Sequence, residues 1–221
     1  MNKIVISFLV IIATILFLFL TRKTPTFHIL IATAGRSSLL KLLNSLKDEL
    51  DVNDAITIVF DGNNAMEKSG ISSDWFNGHK SHINVIEQIP NLGYWGHGIR
   101  NKYQGILNPR CTFIMHADDD DEYIKGSFHK LRHICRDPNI LYISKMICVY
   151  KSGDSEIIPR QNIQVKLNDI GTPNGIIPTY ISQTGKWGDF IGGDFSYYNS
   201  VKDFAKKVVF LDEVIYKVTK D

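Results

Sequence analysis

The chain has 221 residues, with 25 Lys+Arg against 23 Asp+Glu, 44% hydrophobic residues and a formal net charge of +2. That composition excludes wholesale disorder, and the near-neutral balance lacks the concentrated basic face that nucleic-acid binding needs. Three cysteines without CxxC spacing (Cys111, Cys135 and Cys148) exclude a disulfide scaffold or a cysteine-built zinc site, so each reads as a small buried hydrophobe.

In chain order, the first feature is an uncharged apolar run from Ile4 to Leu20, closed by Thr21-Arg22-Lys23. Its 17 residues are at the short end of what a helix needs to cross hydrocarbon. A secretory signal is the rival, but no small-residue cleavage site follows. The expectation is therefore an uncleaved, single-pass transmembrane anchor over residues 1–23. Lys3 on one side and Arg22 and Lys23 on the other leave its orientation open. No asparagine starts an Asn-x-Ser/Thr sequon, which leans towards a catalytic part that never meets the glycosylation machinery. Thr24-Pro25-Thr26 reads as a short stem, and residues 24–221 as one domain.

Phe27 to Ala34 is apolar and β-branched and ends at Gly35, the pattern of a buried strand. Ser37 or Ser38 can cap a following helix in which Leu39, Leu40, Leu42, Leu43, Leu46 and Leu50 recur at helical spacing. Ala55 to Phe60 is a second buried strand stopped by Asp61-Gly62, and His82 to Ile89 alternates as a third. Gly98 to Leu107 reads as a helix, and Cys111 to Met115 as a fourth strand entering Asp118–Glu122. This alternation predicts an α/β fold with a mostly parallel, Rossmann-like sheet flanked by helices. Beyond Leu141 the pattern changes. Tyr142–Tyr150 and Glu156–Val165 read as hairpin strands, Asp169–Gly193 as a mobile loop covering substrate, and Val208–Val218 as a closing strand. In such sheets ligands lie at the carboxyl ends of the strands, where Arg36, Asp61 and the acidic run all fall.

Five consecutive acidic residues at a strand end repel one another unless a cation joins them. Carboxylate oxygens suit hard ions such as Mn²⁺ or Mg²⁺, which typically keep room for substrate phosphates. A solvated acidic turn is the bland alternative.

The segment FIMHADDDDEY resembles the strand-plus-DxD element of GT-A glycosyltransferases, particularly glycosyltransferase family 2. FHILIATAGR resembles that family's first strand and turn, ITIVFDGNN its second strand, and NLGYWGHGIRNKYQG its N-x-G…R-N helix start, two residues longer between Gly93 and Arg100 than the commonest form. The tail VVFLDEVIYKV is similar to its closing segment, and the small size resembles virus-type members. The resemblance implies a GT-A (nucleotide-diphospho-sugar transferase) fold, with a nucleotide-sugar-binding half over 27–122 and an acceptor-binding half over 123–221. It implies an inverting transferase that moves a sugar from a UDP-sugar to a hydroxyl on a glycan or glycolipid. Asp61 would read the uracil, with Thr33, Arg36 and His97 lining the same site. Asp118 would face the ribose or donor sugar, Asp119 would belong to the same nucleotide-sugar site, and Arg100 would contact a phosphate or the donor sugar. Asp120, with Asp118, would hold the metal. Trp187 would stack on a sugar face.

An inverting transferase needs a general base for the acceptor hydroxyl. The segment WGDFIGGDFSYY offers Asp194, after two glycines, and Asp189 as the second choice. Rival readings fit the sequence less well. A sugar nucleotidyltransferase should carry a glycine-rich loop after the first strand, which Thr33-Ala34-Gly35-Arg36 lacks. A haloacid-dehalogenase-type phosphatase should have its acidic nucleophile on the first strand. A tethered, non-catalytic binding module would not need Asp61, Asp118 and Asp120 together. The acidic run also lacks the alternation and central Gly of an EF-hand loop.

Overall fold

The computed structural model of the chain describes residues 24–161 and 163–220. The expected anchor at 4–20 therefore lies outside the described residues; among them, no helix is long and apolar enough to cross a membrane.

Strands β1 (Phe27–Thr33), β2 (Ala55–Asp61), β3 (His82–Gln88) and β4 (Phe113–Asp118) pair in the order β3-β2-β1-β4, all parallel. Every residue of β1 and β2 is buried, which is why both read as unbroken apolar runs rather than alternating ones. Helix α1 (Leu39–Lys47) covers one face with Leu39, Leu42, Leu43 and Leu46, all fully buried. Each such leucine contributes roughly 1.5–3 kcal/mol. Ser38 occupies the position before this helix, but its side chain caps nothing. The first turn closes instead on backbone carbonyls, Leu39 N–H donating to Arg36 O at 3.2 Å. Two short helices, α2 (Ala65–Ser69) and α3 (Ser73–Asn77), lead from β2 to β3, and α4 (His97–Tyr103) precedes β4.

The second half departs from a mostly parallel sheet. After the two-residue strand β5 (Glu122–Tyr123) and helix α5 (Ser127–Ile134) come β6 (Ile140–Tyr150), β7 (Ser155–Ile158), β8 (Gly175–Pro178), helix α6 (Gly193–Val201) and β9 (Lys207–Lys220). The full order is β3-β2-β1-β4-β8-β6-β9-β5, with β7 on β6. The pairs β4–β8, β6–β8, β6–β7 and β5–β9 are antiparallel, and β6–β9 is parallel. The hairpin between β6 and β7 fixes their opposite directions, and β8 and β5 add antiparallel pairs of their own.

The expected hairpin is present, but its second strand stops at Ile158, since Pro159 carries no N–H for the ladder. The expected covering loop needs a larger correction. Within Asp169–Gly193, Gly175–Pro178 is a fully buried strand inserted between β4 and β6. It is a core element, and only the segment after it remains irregular. The bland reading of the cysteines holds: Cys111, Cys135 and Cys148 are all buried and unpaired.

Candidate active site

The strand order reverses between β1 and β4, the switch at which an open α/β sheet leaves a crevice at its carboxyl end. A cleft of about 310 Å³ opens there. Thr33 at the end of β1 and Arg36 just beyond it line the cleft, with Asp61 from β2 and Asp118–Asp120 at and after the end of β4. Asn91, Gly93, Trp95 and Gly96 join them from the loop after β3, and His97 from the start of α4. A second cleft of about 450 Å³ adjoins it and holds Asp121, Asp194, Arg160 and Lys220. Asp118 and Thr172 line both.

The acidic run is resolved residue by residue. Asp118 faces both clefts and is paired with Arg100 at 2.5 Å. Arg100 is fully buried; its Nη2 also donates to Ala117 O and its Nη1 to Trp95 O at 3.1 Å. It therefore stands behind Asp118 as a fixed counter-charge and does not line the first cleft, so direct phosphate contact by Arg100 is not what the geometry offers. Tyr216 on β9 clamps the Asp118 backbone from beneath, its hydroxyl accepting from Asp118 N–H at 3.2 Å and donating to Asp118 O at 3.1 Å.

Asp119 is 1% exposed. It accepts from Thr33 Oγ1 at 2.5 Å and pairs with Arg36 Nε at 3.3 Å. Its carboxylate shapes the β1 turn, and little of it is left to face a sugar. Burial raises its pKa, offset in part by Thr33 and Arg36. Asp120 is the most open of the run and is held by Arg36 Nη1. Asp121 turns to the second cleft and accepts Thr219 N–H at 3.2 Å. Burial, with Asp118 and Asp120 beside it, pushes its pKa up to about 8.

Asp61, expected to read a nucleobase, accepts the N–H groups of Leu92 at 2.7 Å and Gly93 at 2.9 Å, so it also fixes the loop after β3. Each carboxylate oxygen retains acceptor capacity towards the cleft. His97 Nδ1 donates to Gly188 O at 2.7 Å, and burial lowers the ring's pKa. A neutral ring held that way keeps Nε2 as an acceptor.

Two expectations fail on position. Trp187 is 1% exposed and stacks on Tyr197 at 4.5 Å, with Arg100 over its ring at 5.0 Å. It is packing beneath the site and presents no face to a sugar. Asp189 lines neither cleft; it is exposed beside a third hollow with Asn101 and Lys186. Asp194, by contrast, sits in the first turn of α6 and borders the second cleft with Asp118. Burial raises its pKa, and Asp118 adds to the shift.

The sequence reading missed Trp95, which is 63% exposed on the wall of the first cleft. The signal was present: two aromatics, Tyr94 and Trp95, stand between Gly93 and Gly96. Gly96 has φ +81°, and a Cβ there would come 2.7 Å from Ala32 Cβ, so the loop reaches β1 only with glycine. Tyr216 and Thr172 were missed as well: Tyr216 lies in the closing segment, about 100 positions from the acidic run it supports, and Thr172 lies in no motif.

Among the described residues, no three His, Cys, Asp or Glu groups converge to hold an ion unaided. The donor set nevertheless fits a hard cation of the Mn²⁺ or Mg²⁺ type. Asp120 and Asp118 offer oxygens at the cleft, and such ions take one or two carboxylates and complete their shell with phosphate and water.

No family model and no curated protein sequence matches the chain. Solved structures do match. S. aureus TarS 1–349 superposes with a TM-score of 0.66 at 18% identity, covering 88% of this chain and 60% of that one. The fold is of the GT-A type. TarS 1–349 in complex with UDP-GlcNAc gives a TM-score of 0.61 at 18% identity, covering 89% and 59%. The mannosyltransferase PcManGT from Pyrobaculum calidifontis, in complex with GDP-Man and Mn²⁺, gives 0.59 at 12% identity, covering 88% and 57%. The chain thus spans about three-fifths of these solved chains, and 36% of the longer S. aureus TarS structure. A 4-diphosphocytidyl-2C-methyl-D-erythritol synthase from Anaerococcus prevotii gives 0.52 at 14% identity, covering 86% and 87%.

Proposed function

We propose that this chain is an inverting, metal-dependent glycosyltransferase that moves a sugar from a nucleotide-diphosphate donor, a UDP-sugar, to a hydroxyl on a glycan or glycolipid. One observation carries the reading: Asp118 is shared by two adjoining clefts, one rimmed by Arg36 and Asp120 and the other by Asp194. A donor in the first and an acceptor in the second would meet at Asp118. Under this reading the apolar run at 4–20 tethers the domain to a membrane, close to such acceptors.

The chain's own groups divide the work. Arg36 exchanges Asp120 for diphosphate oxygens, because its planar fork suits them. Arg100 and Tyr216 hold Asp118 still, so its carboxylate is preorganised rather than recruited. Asp194 takes the proton of the acceptor hydroxyl as that oxygen attacks the anomeric carbon and the bond to the diphosphate breaks. Asp120 and Asp118 would hold a divalent cation, whose chemistry would be to neutralise charge on the leaving diphosphate.

The test is isothermal titration of the full chain, in mild detergent, with UDP-, GDP- and dTDP-sugars, with and without Mn²⁺. Binding of one donor that needs the metal and is lost in Asp120→Ala supports the reading. A folded chain that binds none of them, with any metal, sinks it. The fold likeness to a nucleotidyltransferase keeps one rival open. Turnover of a nucleoside triphosphate with a sugar phosphate, releasing diphosphate, would favour that rival.

A further inference from the structure

Four consecutive residues, Gly93 to Gly96, have positive φ, and the middle two are bulky: Tyr94 at 54° and Trp95 at 53°. Such values are outliers for aromatic residues and persist only where the surroundings impose them. Here they do. Asp61 accepts the N–H groups of Leu92 and Gly93, Arg100 donates to Trp95 O, and Gly96 rests on Ala32. The result is an indole 63% exposed on the wall of the first cleft, its ring centroid 6.3 Å from that of His97. The fold holds the Trp95 backbone firmly and leaves the ring uncovered, so no core packing returns the strain. Trp187, with nearly all its surface buried, shows what a structural tryptophan looks like in the same molecule.

We infer that Trp95 is the stacking platform for the donor's nucleobase. This rests on the nucleotide-sugar reading above and adds to it the residue that takes the base. A nucleobase has two apolar π-faces and a polar edge, so its site needs a flat aromatic surface and acceptors in the ring plane. Trp95 supplies the first; Asp61 and Asn91, on the same cleft, supply the second. The charged end of the cleft, at Arg36 and Asp120, is left to the diphosphate. Because Arg100 bonds both Trp95 O and Asp118, the platform and the acidic rim are held in register by one buried guanidinium.

The experiment titrates the full chain with UDP, GDP and inorganic diphosphate, each with Mn²⁺, reading heat and tryptophan emission together. A nucleotide is expected to quench emission in the wild type, and inorganic diphosphate to bind without quenching. Trp95→Phe should keep nucleotide affinity within about threefold and lose the quench. Trp95→Ala should weaken nucleotide binding about tenfold or more and leave diphosphate binding unchanged. The ring is exposed, so neither variant should lower the thermal midpoint, which is measured alongside. Nucleotide binding that is as tight in Trp95→Ala, or a quench that survives in Trp95→Phe, overturns the inference and leaves the donor reading standing. A folded wild type that binds no nucleotide overturns both.

Discussion

Asp194 and Asp189 lie five residues apart and carry the same functional group, yet their surroundings separate them. Asp194 is partly buried, borders the cleft that holds Asp118, and has its pKa raised by burial and then by that neighbour. Asp189 is exposed by a different hollow. A general base works only when ionised, so with Asp194 in that role under the proposed function, activity should fall with decreasing pH along a limb displaced above the usual Asp value of 3.8. Asp194→Asn should cut kcat by at least about 100-fold, the ordinary scale of acid–base assistance, and abolish that limb. Loss of the limb in Asp189→Asn instead would reverse the assignment. At this scale the sequence displayed every candidate but not its use. Residue type and motif spacing marked Asp61, Asp118, Asp120 and Arg100. Which oxygen was already taken by Leu92 N–H or Thr33 Oγ1 depended on partners about 30 and 86 positions away.

Among the elements, legibility follows the range of the signal. Strands β1, β2 and β4 were readable because each is an uninterrupted apolar run bounded by Gly, Asp or Asn. Strand β8 was not, because it is four residues long, begins with Gly and ends with Pro. Its place is imposed by neighbours. Gly175 donates to Tyr198 OH at 3.1 Å, and the same hydroxyl donates to Thr172 O at 2.6 Å. A Cβ at Gly175 would come 2.2 Å from the Tyr198 ring. Gly175→Ala should therefore cost about 1–3 kcal/mol by overpacking. Gly105→Ala, whose Cβ would meet nothing closer than 3.7 Å, is the control. Thermal or urea unfolding of the two variants measures the difference; equal midpoints would mean that β8 is not tightly seated.

The whole molecule brings the two halves together at Asp118. Strand β4 delivers it, helix α4 backs it with Arg100, β9 clamps it with Tyr216, and α6 sets Asp194 across the cleft. The same packing buries His28. Its Nδ1 accepts Asn108 N–H and its Nε2 donates to Thr57 Oγ1, both at 2.8 Å, while burial lowers its pKa from 6.5 to about 4. Between those two values the unfolded chain binds the proton that the folded chain refuses. Stability should therefore fall as pH drops through that window, by about 3 kcal/mol from this group. His116, fully buried with its pKa also lowered, adds to the same slope. Urea midpoints between pH 7.5 and 4.5 read this directly, and His28→Gln should flatten part of the decline. A profile identical in wild type and variant would remove His28 from the account.

Sequence alone determined the parallel strand order's raw material, the acidic strand end and the short set of carboxylates and arginines from which a site could be built. These are local facts, written in hydrophobic periodicity and residue type. Tertiary structure decided that the second half is a mixed sheet and that a Gly-to-Pro tetrapeptide is a core strand. It also decided that Trp187 is buried while Trp95 faces the cleft, and that Arg100 serves Asp118 rather than a ligand directly. Each of these turns on burial and on which distant groups share a hydrogen bond, and both are fixed only when the elements pack against one another.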